Sequence, residues 1–298
     1  MTLNRVPAAD ATGGECPCGC FSRGQKYSTD LTDTEWAVLE PLLPPPACLT
    51  ATGGRPEKHH RRAVLSAVFY LADNGCKWRN LPADFPPWRT VYGFLRRWRA
   101  ARVLHDLVDD LRSAIRRAAG RAEKASAGII DAQSVHESAE GVVPAATSGY
   151  DQHKNVNGRK RHLLVDTLGL LIAVAVSAAS VPDRDGAVIL LLAAGARGTR
   201  PRHIWADHGY SGAAWIAWTL ETLGTAIEIV EQPRGQKGFQ VLPRRWVVER
   251  TNAWISRRRR CARDYERLAS QHEAMVQVAA IIQMTHRAAK ITQTTTEV

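Results

Sequence analysis

The sequence predicts a mixed α/β fold, a small all-helical unit followed by a larger domain built on a mixed sheet. Up to about residue 120, apolar residues recur at helical spacing in short segments broken by prolines and glycines. From Ser126 onward, β-like and α-like segments alternate. Size agrees, since 298 residues at 45% hydrophobic content suffice for one sizeable core and a small second domain.

Residues 1–28, rich in Ala, Gly, Pro and polar groups and without periodicity, read as a disordered leader. Cys16, Cys18 and Cys20 cluster there, but a fourth ligand at zinc spacing is missing, so they read as thiols of a tail. Thr32 or Asp33 caps a first helix with Trp36, Leu39, Leu42 and Leu43 as its stripe, and the prolines at 44–46 stop it. A second helix is expected over 56–74, with Val64, Val68 and Leu71 inward and Gly75 at its end. A third begins near Trp88 and turns Val91, Phe94, Leu95 and Trp98 inward, with Arg89, Arg96, Arg97 and Arg99 outward. A fourth covers about 103–119. Short helices with arginines on the third suggest a helix-turn-helix-like DNA-binding unit over 29–120. The same arginines also fit a plain solvated face. Trp78, Trp88 and Trp98 are expected in the core of this unit.

A polar linker at 120–126 leads into a domain over 126–290. Strands are expected at 128–135, 161–167 and 170–178, with Leu168-Gly169 as the turn between the last two. A helix at 186–196, a strand at 202–206, a helix at 213–223 and a strand at 226–230 follow. Residues 243–288 read as helical, with a break near 268–271. This is the element order of a ribonuclease-H-like domain, and other mixed α/β folds share it, so the site must decide.

Lys and Arg number 40 against 29 Asp and Glu, a net charge of +11 that favours a polyanionic partner. No run of 18 apolar residues exists, so no membrane span is expected, and the N-terminus lacks the apolar segment of a signal peptide. A cytoplasmic location follows from these readings.

Three carboxylates stand out. Asp131 lies inside a strand beside Ile129 and Ile130, where a charge is costly unless a cation or hydrogen bonds satisfy it. Asp207 ends a strand, ahead of His208-Gly209-Tyr210, and strand C-termini are where α/β sheets place their sites. Glu249 lies one helical turn after Arg245 and off the stripe of Val247, Thr251, Trp254, Cys261 and Tyr265. Singly, each is an ordinary cap or solvated side chain. Together, one carboxylate from each of two strands and a helix suits two hard divalent cations and in-line phosphoryl displacement. Asp183 and Asp185 rival Asp207, but their place ahead of a helix reads as capping.

Five stretches then carry a resemblance. They are Leu31-Thr32-Asp33-Thr34-Glu35-Trp36 with Pro41-Leu42-Leu43-Pro44; Gly54-Arg55-Pro56 with Gly75-Cys76-Lys77-Trp78-Arg79-Asn80-Leu81-Pro82; Phe85-Pro86-Pro87-Trp88-Arg89-Thr90-Val91-Tyr92 ending in Arg96-Arg97-Trp98; Asp131-Ala132-Gln133-Ser134-Val135 through Gly158-Arg159-Lys160-Arg161-His162 to Val165-Asp166-Thr167-Leu168-Gly169; and Ala206-Asp207-His208-Gly209-Tyr210 with Arg245-Trp246-Val247-Val248-Glu249-Arg250-Thr251. In this order the chain resembles bacterial insertion-sequence transposases of the insertion-sequence-five family, in its compact subgroup.

The resemblance implies that Asp131, Asp207 and Glu249 are the catalytic triad and hold two divalent ions, Mg or Mn. It implies an enzyme that binds the terminal inverted repeats of its element, cleaves DNA and joins 3′ ends to target DNA. A homodimer or higher multimer on double-stranded chromosomal DNA is implied too. Separations of 76 and 42 residues between successive carboxylates leave no room for a large domain inserted before the last helix. Leu242 and Ser256 stand where the family has Tyr and Lys, Arg257 follows the second, and Ala132 stands where Ser is common. A catalytically decayed DNA-binding remnant and a purely hydrolytic ribonuclease-H-like nuclease are the alternatives. Expected DNA contacts are Arg55, Lys77, Arg89, Arg96, Arg97 and Arg99, then Arg159, Lys160 and Arg161, and finally Arg245, Arg257, Arg258, Arg259 and Arg260.

Overall fold

Helix α1, Asp33–Leu39, starts in a capping box: Glu35 N–H donates to Thr32 Oγ1 at 3.1 Å and Thr32 N–H donates to Glu35 Oε2 at 3.0 Å. A computed structural model describes residues 24–51, 53, 55–139, 141–230 and 244–296. Most of the leader, with Cys16, Cys18 and Cys20, and Leu242 lie outside the described residues. Helix α2, Arg61–Asn74, starts later than expected because His60 keeps an extended backbone and its ring caps Arg62 N–H. Gly75, at φ 67, ends it. Helices α3, Trp88–Ala100, and α4, Val103–Ala118, follow.

Strand β1, Ala127–His136, is central. The short β2, Gly149–Asp151, was not expected; it pairs with the start of β3, Val156–Asp166, and β3 lies antiparallel to β1. Strand β4, Leu171–Ala178, lies antiparallel to β3. Helix α5, Asp183–Ala196, leads to β5, His203–Ala206, parallel to β1. Helix α6, Ala213–Leu223, leads to β6, Ala226–Ile229, parallel to β5. Such a mixed sheet, antiparallel at one side and parallel at the other with helices over both faces, is ribonuclease-H-like.

One face of the sheet packs Ile130, Ala132, Ile204 and Ala206 against Ala187, Leu190 and Leu191 of α5. The other turns Ile129, Leu163 and Val165 toward the remaining helices. Here the C-terminal helical stretch, expected to break near 268–271, does break just before Ala269 and also at Arg258, giving three helices: α7, Arg245–Arg257; α8, Arg259–Ala262; and α9, Ala269–Thr296. The chain extends at Arg258 and again after α8, where Asp264 N–H donates to His136 O at 2.8 Å. Buried positions on α7 are Val247, Val248, Thr251, Asn252 and Ile255. Trp254 is only half-buried, and Tyr265, beyond the helix, is exposed. Helix α9 lies against α1, α2, α4 and β4, so Leu39, Leu71 and Leu107 share one apolar core with Ile129, Leu163 and Ile281.

Candidate active site

Strands β1 and β5 pair Ala127 with His203, Gly128 with Ile204 and Ile129 with Trp205. Carried two residues further, that register sets Asp131 beside Asp207. Asp131 opens only partly to the surface, and its Oδ2 accepts a hydrogen bond from Asn252 Nδ2 at 2.7 Å. Burial, and then the charge of Asp207, push its carboxyl up to about 7, against the pull of Lys154 and Arg245. Asp207 caps the turn at His208–Tyr210, its Oδ1 accepting Gly209 N–H at 2.9 Å. Glu249 comes in from α7, with its side chain 40% exposed. Arg245 joins the two: one guanidinium nitrogen is 3.7 Å from Asp207 Oδ2 and 3.5 Å from Glu249 Oε1.

A fourth carboxylate enters this neighbourhood. A Cβ placed on Gly209 would lie 3.0 Å from Asp207 Oδ1 and 3.2 Å from Asp183 Oδ2. Asp183 also takes Lys160 Nζ at 2.8 Å, while Asp185 is exposed. Tyr210 is wholly buried, its hydroxyl has no partner among the described residues, and burial followed by the charges of Asp131, Asp183 and Asp207 holds it far above the usual phenol range. Asn252 Oδ1 is likewise enclosed without a partner.

The donor chemistry suits a hard divalent cation: carboxylate oxygens close enough that the charge of Asp207 raises the proton affinity of Asp131, and a spare amide oxygen beside them. Among the described residues, however, no three His, Cys, Asp or Glu side chains are gathered into a ready-made cation site. Arg245 stands between Asp207 and Glu249 and partly neutralises both.

Residues 122–284 match the family model described as a transposase DDE domain, more than half of the chain. The chain belongs to the DDE transposase family. Residues 31–108 match a second model, described as a putative transposase of the IS4/5 family. A putative transposase for insertion sequence element IS402 from Burkholderia cepacia is 31% identical over 132 residues, covering 42% of this chain and 62% of that protein. An uncharacterized 16.2 kDa protein of insertion element IS402, from the same species, is 34% identical over 83 residues, 26% of this chain and 56% of that protein. Both matches thus span less than two thirds of the relative's length.

Several basic residues expected to meet DNA turn inward. Arg159 is 1% exposed and pairs with Asp264 at 3.1 Å. Arg161, also 1% exposed, donates to Gln133 Oε1, Cys261 O and, at 2.6 Å, Ser256 Oγ. Lys160 is spent on Asp183, Asp151 and Val181 O. Arg260 is buried against Glu266 at 2.7 Å. Arg159, Lys160 and Arg161 find their partners inside the fold because β3 is covered on both faces, and Arg159, Lys160 and Arg260 are paired with carboxylates there. Arg258 is half-buried in a pair with Asp73 at 2.5 Å. Exposed are Arg55, Lys77, Arg89, Arg96, Arg97, Arg257 and Arg259, while Arg99 is half-buried beside Ser270. Trp98 is in the core as expected; Trp78 and Trp88 are half-buried.

Asn252 and Lys154 escaped the sequence reading. Asn252 carried a signal, lying three residues after Glu249 and so on its side of the helix. Lys154 carried none, because it reaches Ala132 O at 2.8 Å from a loop.

Proposed function

We propose that this family member is a DNA transposase whose catalytic residues are Asp131, Asp207 and Glu249. The β1–β5 register carries the reading: it sets Asp131, inside β1, beside Asp207 at the end of β5, and Arg245 tethers the motif glutamate to the second of them. Asp131, Asp207 and Glu249 would hold two divalent ions, Mg or Mn, which when bound supply Lewis-acid neutralisation of charge on a phosphoryl group. Asn252 orients the Asp131 carboxyl. Asp207 is braced by Gly209 N–H, and Arg245 keeps Asp207 and Glu249 together until a cation competes for them. Phosphoryl transfer asks the protein chiefly for positioning and charge stabilisation, so these contacts count as much as the carboxylates.

Exposed Arg89, Arg96 and Arg97 of α3, with Arg257 and Arg259, supply positive surface for DNA. On this reading the helices of 29–120 recognise the terminal inverted repeats and 126–290 carries the chemistry, with two copies serving the two ends of an element. The test is strand cleavage and joining with Mg²⁺ on duplexes bearing the element's own terminal repeats. Asp207→Ala should lose activity by several orders of magnitude while end binding persists. A fully active Asp207→Ala beside a dead Asp183→Ala would overturn the assignment, and end binding without any wild-type cutting would leave a DNA-binding protein only.

A further inference from the structure

The turn joining β3 to β4 gathers cations that the active-site reading does not use. Arg250 of α7 and Arg287 of α9 both donate to Leu168 O, at 3.3 and 3.4 Å. Arg121, after α4, donates to Thr167 Oγ1 at 3.0 Å. Neither a single carbonyl nor a hydroxyl can neutralise these three charges. The nearby carboxylate, Asp166, is already spent: it is fully buried and takes Arg116 at 2.6 Å. Among the described residues, no carboxylate lies within ion-pair distance of Arg121, Arg250 or Arg287.

Arg250 is also held in place. Its guanidinium carbon lies 4.4 Å from the Trp246 ring centroid and 4.5 Å from that of Trp254, so the two indoles one turn to either side flank it. Gly169 permits the close approach: its φ is +82 and a Cβ there would stand 3.1 Å from Arg250 Nη2. Arg250 Nε is enclosed and has no acceptor among the described residues. Burial and then the charge of Arg287 lower the pKa of Arg250, as expected for cations lacking a counter-charge. Three guanidinium groups from α7, α9 and the segment after α4, one of them held between two indoles, suit a ligand with several anionic oxygens at once.

We propose that Arg250, Arg287 and Arg121 form a phosphate-binding site that grips the DNA backbone beside the catalytic helix. The inference deepens the DNA-binding reading above and rests on it. Arg250 directly follows Glu249, so a strand anchored there passes close to the carboxylates while leaving them free for the scissile group.

The test is DNA binding by fluorescence anisotropy, on terminal-repeat duplex between about 50 and 200 mM salt, without divalent metal. Wild type, Arg287→Gln, Arg250→Gln/Arg287→Gln and Arg250→Lys/Arg287→Lys are compared, with thermal unfolding of each. The double Gln variant should bind about tenfold more weakly at low salt. Its log K against log salt should be shallower by about 0.9 for each phosphate it no longer neutralises. The double Lys variant should keep most of the slope, because it keeps the charge. A brace between α7 and the turn would lower unfolding temperature and leave the slope alone, so a folded double Gln variant with wild-type affinity and slope overturns the site. Arg287→Gln decides the matter should the double variant fail to fold: half-buried and weakly bonded, it should make the slope shallower by about 0.9, the share of a single phosphate. An unchanged slope in that variant overturns the site. Wild type that binds no duplex at any salt overturns this inference together with the DNA-binding reading.

Discussion

Replacing Asp131 by Asn should stabilise the cation-free protein at alkaline pH. The Asp131 carboxyl is raised from an ordinary 3.8 to about 7, first by burial and then by Asp207. Such a gap corresponds to about 4 kcal/mol against the folded state once pH is well above 7. A folded-state value above the unfolded one means that the stabilisation is fully present below about pH 4 and is lost as pH rises through about 7. The substituted amide cannot ionise, and its oxygen can still accept the Asn252 N–H that Asp131 accepts at 2.7 Å. The difference in unfolding free energy between variant and wild type should therefore move in favour of the variant by about 3 kcal/mol from pH 5 to pH 8. Urea unfolding with EDTA at each pH measures it, and comparing the two proteins at the same pH cancels other titrating groups. Mg²⁺ at pH 8 should then narrow the gap by stabilising wild type alone. A gap that stays flat with pH would refute the claim that the Asp131 charge is penalised by its surroundings.

Three further outcomes are expected. Arg159→Ala should cost about 1–3 kcal/mol in urea unfolding, because it removes the guanidinium partner of the fully buried Asp264 and leaves that carboxylate only His272 and the Glu266 N–H, whereas exposed Arg259→Ala should stay within about 0.5 kcal/mol. Gly186→Ala should lose at least about 1–3 kcal/mol in the same assay, since its Cβ would sit 2.0 Å from His162 Cε1 in a fully buried ring. Burial raises the Glu35 carboxyl, but hydrogen bonds with His286 and the Thr32 N–H outweigh it and leave it below its usual range; that stability is present above about pH 4.5 and lost as pH falls, and His286→Ala should flatten this part of the acid limb in pH-dependent melts.

Much of this protein was legible before any coordinates. Element order followed from periodicity and turn residues, and the Thr32 cap and the Gly75 stop were readable because capping is local chemistry. Asp131 was singled out as a charge inside an apolar strand, Asp207 by its strand end and Glu249 by its helix face, together with the motif resemblance. The tertiary structure decided what those patterns leave open. Periodicity reports that a face is apolar but not its partner, so nothing in the sequence said that α9 would run across α1, α2, α4 and the sheet alike. Charge reports a sign but not burial: the Arg159–Arg161 run reads as a basic patch, yet β3 is covered on both faces and each cation finds an internal partner. Arginines at 121, 250 and 287 are too far apart in sequence to be read together, and they meet because α7, α9 and the end of α4 converge on one turn. Asp131 meets Asp207 for the same kind of reason. Strand register is set by which residues the helices bury on each face, a property of the packed sheet and not of either strand alone.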